Sequence, residues 1–119
     1  MTIKQFDLAA LPKPTLGAPA PGMTIEGSPV FRTWELDRDE NGNVTAGVWE
    51  ATPGSWRSRK NGAWELATIL SGVAEIANKD EPPRTVRAGD SFVLRPDFDG
   101  TWKVIETLRK VWVIRHAAP

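Results

Sequence analysis

The chain has 119 residues, with fifteen Lys and Arg against fifteen Asp and Glu, one histidine and no cysteine. That length suits one domain with one core, and the balanced charge leaves no field to attract nucleic acid or a membrane surface. Without thiols, a disulfide framework, a thiolate nucleophile and a thiolate metal site are all excluded.

The opening residues Met1 to Asp7 carry no apolar core of signal-peptide length, and no later apolar run approaches the roughly 20 residues of a membrane span. A cytoplasmic chain without membrane or nucleic-acid partners is expected. Residues 1–25 hold Pro12, Pro14, Pro19 and Pro21 among alanines and glycines, a composition that neither pairs inside a sheet nor sustains a helix. This arm is either a disordered leader or an extended segment laid across its own barrel or a partner's, with Phe6, Leu8 and Leu11 as anchors. Residues 26–119 are expected to form the single folded domain.

Val30 to Asp37 alternates apolar and polar residues as a strand does, and Asp39-Glu40-Asn41-Gly42-Asn43 turns it into a strand that starts near Val44. Val48 to Thr52 alternates likewise, Pro53-Gly54 interrupts it, and Trp56 to Lys60 resumes the extended pattern up to Asn61-Gly62. Asn-Gly is the strongest short hairpin signal, because both central residues of a type I′ turn need positive φ. Asn61 thus has two readings, a turn residue or a polar group aimed into the barrel, and the turn accounts for it fully. Trp64 to Leu70 runs apolar and β-branched into Ser71-Gly72, which predicts a buried strand closed by a second turn. Val73–Ala77, Thr85–Arg87 and Ser91–Leu94 are further short strands, and Thr101–Glu106 and Leu108–Arg115 form a closing pair. Eight or nine short strands with turns at close intervals and no helical period predict an all-β sandwich or barrel. Six tryptophans and no tyrosine suit large rings filling a small barrel and its interface.

Several of these residues together resemble the cupins. They are Gly54, Glu65 separated by six residues from Gly72, Trp49-Glu50-Ala51-Thr52-Pro53-Gly54, Leu70-Ser71-Gly72, Ala88-Gly89-Asp90, and the run from Gly100-Thr101-Trp102 to Arg109-Lys110 and Ile114. More narrowly, the chain resembles small single-domain cupins related to the (S)-ureidoglycine aminohydrolase cupin domain, over about residues 44–115. The resemblance implies a double-stranded β-helix, a jelly-roll cupin barrel, here preceded by the Pro-rich arm.

Metal-dependent cupins converge three histidines and a glutamate on an ion in the barrel. Counting back from Gly72, the glutamate is present as Glu65. The first two histidine positions fall on Arg59 and Asn61, or on Ser58 and Lys60 if the spacer is one residue longer, and the third falls on Gly100. Arginine and lysine offer no lone pair at neutral pH and glycine has no side chain, so no metal cofactor is expected. His116, near the C-terminus, is expected at the surface or in a capping role.

Alternate residues share a face. Counted from Gly100, the face that cupins turn inward carries Trp102, Val104 and Glu106; from Glu65 it carries Ala67 and Ile69; from Arg59 it carries Arg57. The candidate binding cluster is therefore Arg57, Arg59, Glu65, Trp102 and Glu106, an arginine fork suited to a carboxylate or ureido group against an aromatic wall. The same charges could instead form an internal salt-bridge set. Three functions follow. The first is a metal-independent cupin that binds a small polar metabolite such as a carboxylate, a ureido compound or a sugar derivative. The second is an aminohydrolase, which needs Glu65 or Glu106 as a base with a raised pKa, or a metal. The third is a dimeric scaffold or sensory module. A homodimer is expected, because open strand edges and exposed tryptophans need covering.

Overall fold

The computed structural model describes residues 2–118. Every regular element among them is a β-strand: β1 (Thr15–Gly17), β2 (Thr24–Glu26), β3 (Phe31–Arg38), β4 (Val44–Ala51), β5 (Gly54–Arg59), β6 (Trp64–Asn78), β7 (Arg84–Arg87), β8 (Ser91–Leu94) and β9 (Asp99–Arg115). No helix of these residues is long and apolar enough to cross a membrane.

β9 organises the sheet. Along one edge it pairs first with β5, from Arg59↔Asp99 to Gly54↔Val104, and then with β4, from Ala51↔Leu108 to Val44↔Arg115. Along its other edge it pairs with β6 from Asn78↔Gly100 to Trp64↔Arg115. The strand order is β1-β3-β4-β9-β5-β2, with β7 and β8 attached to β6. All pairings are antiparallel, and the sheet curls on itself as a jelly-roll barrel.

The all-β expectation holds, but two pairs of predicted strands are single long ones. β6 has 15 residues and β9 has 17. Ser71-Gly72 does not close a strand. Gly72 takes a φ of +89° and the β6–β9 register shifts between Ile69 and Ala74, so the left-handed residue makes a bulge that bends a continuing strand. Asn61 and Gly62 do form the expected turn, with φ of 49° and 93° and a hydrogen bond from Ala63 N to Lys60 O of 3.0 Å. The strands it joins are nevertheless not a hairpin: β5 lies between β9 and β2, whereas β6 pairs with β7, β8 and β9. The dipeptide governs the local reversal, and the long edges of β9 govern where each strand pairs.

The Pro-rich arm lies across its own sheet. β1 and β2 occupy the two ends of the strand order, and Pro12, Pro14, Pro19 and Pro21 all fall outside them, so no proline interrupts a ladder. Trp34 Nε1 donates to Pro12 O at 2.6 Å, which fastens the arm to β3. Of the proposed anchors, Phe6 and Leu11 are half-buried and Leu8 is exposed.

The concave face carries the core: Ala51, Trp56, Ile69, Ala74, Ile76, Val86, Leu94, Phe98, Trp102, Val104 and Leu108. Gly100 shows how closely strands approach there. A Cβ on it would collide with the Ala77 carbonyl oxygen of β6, so no side chain fits at that position.

Candidate functional site

Beside the core, the concave face encloses a cavity of about 360 Å³, within the range of small-molecule sites. Trp56, Leu94 and Trp102 belong to both the core and the cavity wall. The indoles of Trp56 and Trp102, on paired residues of β5 and β9, are parallel to within 2° with centroids 6.2 Å apart. Trp49 stands edge-on to both, at 6.1 and 5.8 Å. Phe31 packs against Trp49 and Trp56 at 5.0 and 4.9 Å, and Trp112 completes the aromatic wall. The Trp112 Nε1 is buried without a hydrogen-bond partner among the described residues.

Three charged side chains meet in this aromatic setting. Glu65 Oε1 accepts from Lys60 Nζ at 2.8 Å and Glu65 Oε2 accepts from Lys110 Nζ at 2.7 Å. Side-chain exposure is 12% for Lys60, 6% for Glu65 and 8% for Lys110. The Lys110 ammonium also lies 4.4 Å from the Trp49 ring centroid and 4.7 Å from that of Trp102. This is the geometry in which an aromatic face attracts a desolvated cation. Burial pushes the Glu65 pKa up, but the charges of Lys110 and Lys60 and their hydrogen bonds outweigh it and hold the group below its ordinary value of 4.5. The carboxylate is therefore ionised at neutral pH.

At the rim, Thr45 Oγ1 and His116 Nε2 share a hydrogen bond of 2.8 Å, and His116 N donates to Asn43 O at 2.8 Å. The histidine caps β4 and also lines the cavity.

The five candidate residues do not stay together. Glu65 and Trp102 line the cavity. Arg57 and Arg59 are exposed and line a separate outer groove, where Arg59 Nε bonds Asp99 Oδ1 at 3.3 Å. Glu106 is exposed where β9 passes from β5 to β4. The arginines were placed inward by counting alternate residues from Arg59, but β5 has the opposite phase: Trp56, Ser58 and Lys60 face the cavity. The longer spacer is the one that the fold uses. The candidate cluster also lacked Lys110, Trp112, Trp49, Trp56 and Phe31. Lys110 and Trp112 were reachable, because the alternate count that begins at Trp102 and Val104 continues through Leu108 to them.

The same placement tests a metal centre. Where cupins carry histidines, this barrel presents Ser58, Lys60 and Gly100, and the last has no room for a side chain. Among the described residues no three His, Asp or Glu side chains converge. Glu65 already accepts from two ammonium groups, so the residues present do not fit a metal ion.

A family model for the EutQ-like cupin domain matches residues 38–112. No curated protein matches the chain. Among solved structures, a Pseudomonas syringae pv. tomato protein of unknown function from the DUF861 family is similar with a TM-score of 0.78 and 26% identity, over 88% of this chain and 44% of that one. The chain thus spans less than half the length of that relative. The Clostridium difficile EutQ protein is similar with a TM-score of 0.65 and 17% identity, over 75% of this chain and 64% of that one. A putative ethanolamine utilization protein Q from Salmonella typhimurium gives 0.64 and 15%, over 74% and 71%. At these identities the two EutQ likenesses speak for the fold alone.

Proposed function

Because this chain belongs to the EutQ-like cupin family, a family that matches it over residues 38–112, we propose that its barrel is a metal-independent binding site for a small organic anion. The family supplies the scaffold, and a scaffold of this kind hosts unrelated chemistries, so the reading rests on the site itself. The observation that carries it is the Lys60–Glu65–Lys110 cluster, two ammonium groups on one carboxylate inside an aromatic cavity. A lysine is a point charge with three donors. Each of these makes one hydrogen bond among the described residues, to Glu65, which leaves donor capacity and positive charge for a guest.

The aminohydrolase activity implied by the narrower resemblance is less well supported. It calls for a carboxylate raised toward neutrality as general base, and Glu65 is held low.

A thermal-shift screen of small carboxylates, ureido compounds and sugar derivatives at neutral pH tests the proposal. Carboxylates should raise the melting temperature of the wild-type chain and not that of Lys60→Met. Stabilisation by neutral sugars alone, or by nothing in the panel, would remove the anion reading.

The homodimer also belongs to this proposal. Leu66 and Val93 face each other in register on β6 and β8, are 37% and 39% exposed, and have Val113 of β9 beside them. An apolar strip on an outer sheet face is a natural seat for a second copy. Light scattering at micromolar concentration should return twice the chain mass, and Leu66→Lys should return the monomer.

A further inference from the structure

We infer that the barrel recognises a flat monocarboxylate, with selectivity against neutral isosteres and against dianions. This deepens the anion-binding proposal and rests on it.

The first ground is the charge inside the cavity. Two ammonium groups against the Glu65 carboxylate leave one net positive charge. The remaining carboxylate on the wall, Glu35, is held by Arg38 at 2.9 and 3.2 Å, so that pair is neutral. The remaining titratable wall group, His116, shares its ring nitrogen with Thr45. In surroundings made largely of indole and aliphatic carbon, one negative charge on the guest completes the balance. A second would stand unpaired there, and an unpaired buried charge is expensive.

The second ground is the division of labour between the lysines. Lys110 is sandwiched by Glu65 and the faces of Trp49 and Trp102, so carboxylate and ring faces crowd its ammonium. The Lys60 side chain is the more exposed of the two, and its ammonium makes one hydrogen bond among the described residues, to Glu65. Lys60 therefore contacts the guest, Lys110 supplies charge from behind, and Glu65 is a positioning residue that holds both ammonium groups apart. The third ground is shape. Parallel Trp56 and Trp102, with Phe31 and Trp112, offer ring faces and edges to a planar body.

The test is calorimetry on the full chain at neutral pH with four probes: benzoate, benzamide, terephthalate and terephthalic monoamide. Each pair keeps shape and changes one charge. Benzoate should bind at least about tenfold more tightly than benzamide, and the monoamide at least about tenfold more tightly than terephthalate, a discrimination of the size that one buried charge contact supports. Glu65→Gln raises the net charge by one and should move the preference within the second pair toward terephthalate by about tenfold or more, which a merely structural role for Glu65 would not do. Lys60→Met should lose benzoate by about tenfold or more while the near-ultraviolet circular dichroism of the tryptophans stays as in the wild type. Terephthalate binding as well as its monoamide would overturn the monoanion assignment and leave the anion site standing, as would benzamide matching benzoate while other carboxylates stabilise the chain. No binding by any of the four overturns the flat monocarboxylate. The broader proposal then stands or falls on the thermal-shift panel.

Discussion

Lys110 of β9 donates to Glu65 of β6 at 2.7 Å, although the two residues are 45 positions apart in the chain. Both are buried, at 6% and 5% exposure, so neither charge has water to fall back on. Lys110→Ala leaves Glu65 with Lys60 alone and opens a void against Trp49 and Trp102. It should cost about 3 kcal/mol in urea unfolding, the scale found when one partner of a buried pair is removed. Lys110→Met refills the volume and should cost less. Equal stability of Lys110→Ala and wild type would show that the pair contributes nothing.

The same pair sets a pH dependence. The folded pKa of Glu65 lies below its ordinary 4.5, so as pH falls the unfolded chain binds the proton first. The contribution of Glu65 is fully present above about pH 4.5 and is lost as pH drops through the folded value. Urea midpoints measured between about pH 6 and pH 3 should fall with acidification, and Glu65→Gln should flatten that fall.

Arg59→Ala should leave ligand binding unchanged. Its side chain is half exposed and pairs with Asp99 in the outer groove, away from the cavity. Loss of that surface ion pair should change stability by at most about 1 kcal/mol. Abolished binding in calorimetry would return the arginines to the site.

Gly100→His, which restores the residue type of metal-bearing cupins at that position, should unfold the chain rather than create a metal site. Any Cβ there meets the Ala77 carbonyl, and overpacking a close strand contact costs about 1–3 kcal/mol or more. Gly100→Ala should show most of the loss. A folded Gly100→His variant that binds nickel in equilibrium dialysis would contradict the packing seen here.

Removing residues 2–17 should lower the melting temperature. It deletes β1 and the Pro12 carbonyl that accepts from Trp34 Nε1 at 2.6 Å, and leaves that buried indole on an open face. Faster amide exchange in β3, with β6 and β9 unaffected, is the expected signature.

The all-β character, the strands at β3, β4, β5, β7 and β8, the turn at Asn61-Gly62, and the inward placement of Glu65 and Trp102 were legible in the sequence. Each depends on neighbours in the chain: alternation, turn chemistry and one motif spacing. The face assignment in β5 was not legible, because an alternating strand has two faces and only a packing partner distinguishes them. Trp56 lying against Trp102 is what turns Lys60 inward and Arg57 and Arg59 outward. The merging of four predicted strands into β6 and β9 was hidden for a similar reason. Ser71-Gly72 reads the same whether the chain reverses there or merely bulges, and the continuous ladder with β9 decides it. The charge of the site is the clearest case. Local sequence determines that Glu65 sits in a strand with an apolar face. That its partners are Lys60 and Lys110 was decided only when the curled sheet brought β5, β6 and β9 around one cavity, where low dielectric makes each unpaired charge costly and so selects the pairing.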